Sequence, residues 1–303
     1  MPYFINLRSH PVGGWLDTSD PPKVQLSPPP TNEGFNQPSV DLSLFRAAVS
    51  GQHVLVATHG FNVNFVDGVG ALSYWGSLLQ LDPPTPSVFV GLLWPGDSVW
   101  AHGLDYPVEP KVADETGERL APFLDDVFAD AASISFASHS LGARVVLQTV
   151  KLMSRSSRRL TLMAGAIDDN CLNAEFQPAT PKVAEISALA SKKDMVLGLA
   201  FPLGNLFAGI IDQGHPWWRG ALGRYGPTKP WPANFEAPFQ IPGNWGYGHH
   251  DYLQDNPPYA GNPVGTVNVP ANNSAPPILN AAGNPVPGWQ EAWSAAFVST
   301  RFG

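Results

Sequence analysis

Short apolar, β-branched runs alternate with longer segments of helical spacing along most of this chain. His53 to Thr58, HVLVAT, reads as a buried strand, and about Val66 to Leu81 reads as a helix. Ser87 to Trp94, SVFVGLLW, is a second buried strand, followed by Asp114 to Asp130, whose acidic first turn and spacing suit a helix. Ser133 to Ala137 is a third strand, and Ser140 to Met153 is a helix with Leu141, Val145 and Leu152 on one face. Leu160 to Ile167 and Glu185 to Ser191 complete the strands. Before this regular part, YFINL reads as an edge strand, and Asp41 caps a helix over DLSLFRAAVSG. The last residues, GWQEAWSAAFVSTRF, form a final helix. Strands alternating with helices predict a parallel sheet covered on both faces, an α/β fold.

From Pro202 to Gly248 the periodicity dissolves into a segment rich in Trp, Pro and Gly. It reads as an excursion from a single 1–303 domain, with a candidate cap or lid at about 198–247. The apolar stretch Met195 to Ile211 is interrupted by Pro202 and Asn205 and falls short of the ~20 residues that span a bilayer. Stable membrane insertion is therefore not expected. It suits a buried segment or a flap over an apolar pocket better.

Composition narrows the partners. Charged residues make up 14% and the net charge is −8, which argues against nucleic acid and against anionic lipid. Gly and Pro number 29 and 32, implying stiff, turn-rich connections. One cysteine, Cys171, excludes an intramolecular disulfide and a multi-cysteine metal site. The first residues show no basic start followed by an apolar core, so the default expectation is a cytoplasmic protein. Oligomeric state has no signature here.

The segment SISFASHSLGARVV carries the most chemistry. A buried strand runs into Ser138-His139-Ser140-Leu141-Gly142, where a helix begins. A sharp strand-to-helix turn lifts a nucleophilic hydroxyl above the sheet, and small residues two before and two after let strand and helix pass closely. Those positions hold Ser138, in place of the usual glycine, and Gly142. The competing reading is a helix-capping serine. Acyl transfer also needs two backbone amides aimed at the oxyanion. Leu141 supplies one. His59-Gly60-Phe61-Asn62, at the carboxyl end of the first core strand, supplies the other from Phe61, while His59 is structural. An acid and then a histidine should follow the nucleophile. Asp194 ends SKKD after the last core strand, with Asp168 and Asp169 as rivals whose ordinary role is a turn or cap. His249 and His250 share the loop GYGHHDYL. Adjacent side chains diverge and no third ligand lies near them, so a metal site is disfavoured. Asn62, His139 and Leu197 are candidates for a pocket wall, although His139 would face away from the pocket side.

In their order, THGFNVNF, WPGD, SHSLGARV, SKKD and GHHDYL resemble the α/β-hydrolase superfamily of serine hydrolases, over roughly Val54 to Leu253. The likeness is nearest to an esterase/lipase-like bacterial branch with an HGFN loop, which implies a bacterial source. It implies an α/β-hydrolase fold, with Ser140 as nucleophile, Asp194 as acid and His249 as base, His250 and Asp168 being the alternatives. Phe61 and Leu141 would form the oxyanion hole. A small carboxylic ester of short to medium acyl chain is the implied substrate, with no cofactor. Lipase, amidase or lactonase chemistry on the same triad, or a non-catalytic binding module, are the alternatives.

Overall fold

The structure, a computed structural model, describes residues 2–81, 87–97, 109–199, 219–236, 239–253, 277 and 279–302. Its centre is an eight-stranded sheet. The strands are β1 (Tyr3–Asn6), β2 (Lys23–Leu26), β3 (His53–Thr58), β4 (Ser87–Leu93), β5 (Ser133–His139), β6 (Ser157–Met163), β7 (Val183–Ala190) and β8 (Phe239–Gln240). They lie in the order β2-β1-β4-β3-β5-β6-β7-β8. Among the described strands, β1 and β2 pair antiparallel and the other neighbours pair parallel. This is the expected α/β-hydrolase architecture, a mostly parallel sheet flanked by helices.

The buried strands are near-continuous apolar runs because both faces of the sheet are covered. From Val54 to Ala57 every residue of β3 is essentially inaccessible. Helix α1 is Asn32–Asn36, α2 is Leu42–Val49, α3 is Phe65–Leu78, α4 is Glu109–Val127 and α5 is Gly142–Leu152. Asp41 caps α2 as anticipated, its carboxylate accepting from the Ser43 amide at 2.7 Å. Asn64 caps α3, accepting from the Asp67 amide at 3.0 Å. Helix α3 packs on the C-terminal helix Trp289–Phe302, and α4 packs on both α2 and α5.

Two strands escape the hydrophobic pattern, β2 and β8. Both are short and sit at the sheet's edges, and β1, read as the edge strand, instead lies one place in, paired with β2 on one side and β4 on the other. β8 lies inside the segment read as an excursion. The described part of that segment closes back on β7: Leu189 pairs with Phe239 and Ala190 with Gln240. Residues 200–218 of the candidate cap, with Trp217, Trp218 and most of the long apolar stretch, lie outside the described residues. No helix among the described residues is long and apolar enough to cross a membrane.

Register decides where function can sit. Thr58 pairs with Ser138, His139 with Met163, and Met163 with Leu189. The carboxyl ends of β3, β5, β6 and β7 are therefore level. The segments that follow them emerge side by side along one edge, where open α/β sheets bind ligands.

Candidate active site

Ser140 follows β5 with φ of +53°, a left-handed conformation that costs a non-glycine residue about 1–2 kcal/mol. The turn around it is tied on both sides. The Ser140 amide donates to the Met163 carbonyl at 3.0 Å, and the Ser140 carbonyl accepts from Ala166 at 3.1 Å. The residue capping α5 is Leu141, which makes no side-chain capping bond, so the capping reading of Ser140 is set aside. Its hydroxyl instead lies 2.8 Å from His249 Nε2. A β-carbon on Gly142 would come within 2.3 Å of the His59 carbonyl oxygen, which explains glycine at that position. Ser138 is fully buried, and its small side chain fills the place of the usual first glycine.

Two further segments converge on this hydroxyl. After β7, Asp194 is wholly buried and accepts from His249 Nδ1 at 2.8 Å. Its other carboxylate oxygen accepts from the Leu197 amide at 2.9 Å, and its backbone carbonyl accepts from the Arg224 guanidinium. His249 stands on a single turn of 3₁₀ helix closed by Asp251, whose carboxylate accepts from Gly248 at 2.6 Å. The loop is anchored behind by Ser191, which donates to the Tyr247 carbonyl at 2.7 Å, and by Ser294, which donates to the Tyr252 carbonyl at 2.8 Å. Tyr247, Tyr252, Trp245, Trp289 and Trp293 are buried together, with rings packed mostly edge to face. These aromatics form the wall that holds the histidine loop.

A chain of hydrogen bonds thus runs from Ser140 through His249 to Asp194. Neither alternative occupies it. His250 is exposed beside His249, their rings perpendicular at 5.5 Å. Asp168 follows β6 and bridges to Ala221, while Asp194 takes the bond from His249 Nδ1. The pocket-wall candidates separate: Asn62 is exposed with φ of +57°, whereas Leu197 and His139 are buried. His139 donates from Nε2 to the His249 backbone carbonyl at 2.8 Å.

On the other side of Ser140 lies the HGFN loop. A β-carbon on Gly60 would sit 2.5 Å from Ser140 Cβ, so the loop backbone lies directly against the serine. Phe61, the next residue, is half-buried against the core. Leu141 begins α5, where the first amides lack intrahelical acceptors. His59, read as structural, packs within the protein interior. It is buried, stacks on Trp94 at 5.8 Å, and donates from Nδ1 to the Gly60 carbonyl at 3.0 Å.

Burial holds His59 and His139 neutral. Desolvation, reinforced by the Arg8 charge, pushes the His59 pKa down to about 3. Desolvation first, and then the neighbouring His249, push His139 well below its usual value. In the unfolded chain both titrate near 6.5. The unfolded state therefore takes up these protons first as the pH falls. The stability due to the neutral rings is complete above about pH 6.5. It is lost as the pH falls below that, for His59 toward about pH 3 at about 1.4 kcal/mol per pH unit, and for His139 in the same direction. Urea midpoints should thus fall steadily from pH 7 to pH 5; a flat midpoint over that window contradicts the assignment.

The family described as "Alpha/beta hydrolase of unknown function (DUF900)" matches residues 40–210, more than half of the chain. Among solved structures, esterase PE8 is similar over 66% of this chain and 86% of its own, at 16% identity and a TM-score of 0.36. Acetyl xylan esterase 1 from Thermoanaerobacterium sp. JW/SL YS485 is similar over 66% of this chain and 70% of its own, at 12% identity and a TM-score of 0.36. No curated protein matches. By its family match and its fold, the chain belongs to the DUF900 family of alpha/beta hydrolases.

Proposed function

We propose that this hydrolase is a serine esterase acting on carboxylic esters of short to medium acyl chain. The observation that carries this reading is the unbroken relay from Ser140 through His249 to a fully buried Asp194, with both contacts at 2.8 Å. Ser140 Oγ attacks the ester carbonyl as His249 Nε2 takes its proton. Asp194 holds the tautomer with Nδ1–H toward itself and stabilises the imidazolium. The amides of Leu141 and Phe61 donate to the developing oxyanion, each such donor being worth about 3–4 kcal/mol. The C–O bond of the ester then breaks as His249 returns the proton to the leaving alcohol. Water, deprotonated by His249, attacks the acyl-serine, and collapse releases the acid and restores Ser140.

A p-nitrophenyl ester series from acetate to palmitate, with matched anilides, tests the substrate class. The expected pattern is fastest turnover from acetate to octanoate, a sharp fall at palmitate, and anilides slower by orders of magnitude. Preference for palmitate would point to a lipase, and comparable anilide turnover to an amidase.

A further inference from the structure

We propose that Arg8 is the positioning residue of the oxyanion loop: its buried guanidinium, paired with Asp97, holds the segment His59–Val63 in register with Ser140. This rests on the acyl-transfer reading above. Arg8 lies outside the span that the family match covers. Its side chain is fully buried, which is costly for a cation unless its donors are satisfied. Here Nη1 donates to the Trp94 carbonyl at 2.7 Å and to the Val63 carbonyl at 3.1 Å. Nε donates to the His10 carbonyl at 3.3 Å, and Nη2 pairs with Asp97. One planar group thus joins the end of β4, the end of the HGFN loop and the segment after β1.

The turn Trp94–Asp97 completes the clamp. Asp97 also accepts from the Gly13 amide at 3.0 Å. The Gly96 carbonyl accepts from Asn62 N at 2.7 Å, and Trp94 Nε1 donates to the His59 carbonyl at 3.0 Å. A β-carbon on Gly96 would lie 2.8 Å from the Gly60 carbonyl oxygen, so turn and loop are in close contact. The two oxyanion amides are held differently. Leu141 is fixed by the start of α5. Phe61 lies beyond the last paired residue of β3, flanked by Gly60 and Asn62, both of which meet Gly96 in the turn that Arg8 and Asp97 clamp.

Loosening the clamp should therefore weaken the transition state more than substrate binding. In the full-length protein, with p-nitrophenyl butyrate, Arg8→Met should lower kcat about 10- to 100-fold while KM stays within about twofold. Arg8→Lys should fold with a similar kcat loss, since one ammonium cannot serve both carbonyls and Asp97 together. Asp97→Asn should lower kcat about 10-fold, and it reads the same clamp if Arg8→Met fails to fold. The rate of fluorophosphonate labelling at Ser140 should fall in parallel. Folded variants with wild-type kcat, or a loss appearing in KM alone, would overturn the proposal while leaving the esterase reading intact. A wild type that neither hydrolyses the ester nor takes the label overturns that reading and this proposal with it.

Discussion

On the esterase reading proposed above, His249→Ala should lower ester turnover by about 10⁴- to 10⁶-fold, whereas His250→Ala should leave it within a few-fold of wild type. The two histidines are adjacent, yet their surroundings differ. His249 is buried, with one ring nitrogen on Ser140 and the other on Asp194. His250 is exposed and touches His249 only edge-on. Removing the base leaves the serine hydroxyl protonated and weakly nucleophilic at neutral pH. Asp194→Asn should cost about 10⁴-fold in kcat, because an amide no longer selects the tautomer with Nδ1–H toward it. His249→Ala and Asp194→Asn together should lose little more than His249→Ala alone, since the relay acts as a unit. Steady-state kinetics on p-nitrophenyl butyrate, with circular dichroism as the folding control, distinguishes these outcomes. Comparable losses for His249→Ala and His250→Ala would contradict the geometry.

The arrangement was legible in the chain wherever chemistry is written in local pattern. The strand running into SHSLG marks a turn that only small neighbours permit, and Ser140 occupies it with a left-handed backbone. The level ends of the parallel strands explain why HGFN, SKKD and GHHDYL, far apart in sequence, meet at one place. Parallel pairing plus a carboxyl-end rule was enough to anticipate that convergence. The resemblance already pointed to His249 with His250 as the alternative, and the geometry agrees, since His249 stands between Ser140 and Asp194 while His250 is exposed.

What stayed hidden is non-local. Arg8 sits in NLRSH with no motif around it, and its partners Val63 and Asp97 lie 55 and 89 residues away. His139 was similarly opaque. Its position beside Ser140 suggests a pocket, but its bond goes to the backbone of the histidine loop. The tryptophans of the last third of the chain divide the same way. Trp245, Trp289 and Trp293 pack around Tyr247, and no period in the sequence distinguishes such a cluster from a substrate surface. Edge strands β2 and β8 were missed because pairing along a single side leaves little hydrophobic signature.

The largest effect of all is expected at the serine itself. Ser140→Ala removes the only oxygen that this account allows to carry the acyl group, so no alternative nucleophile should restore a burst or an acyl intermediate. Residual turnover would come from the oxyanion amides and binding alone, some 10³- to 10⁴-fold above the uncatalysed rate. Fold and stability should change little, because the substitution leaves the helix cap and the turn's backbone bonds in place.

The measurement that tests the central claim most directly is stoichiometric labelling with a fluorophosphonate, followed by mass mapping of the modified peptide. The account predicts one label per chain, on Ser140, with loss of ester turnover in proportion to labelling and no label on Ser140→Ala. A label on another residue, or full esterase turnover by Ser140→Ala, would contradict it.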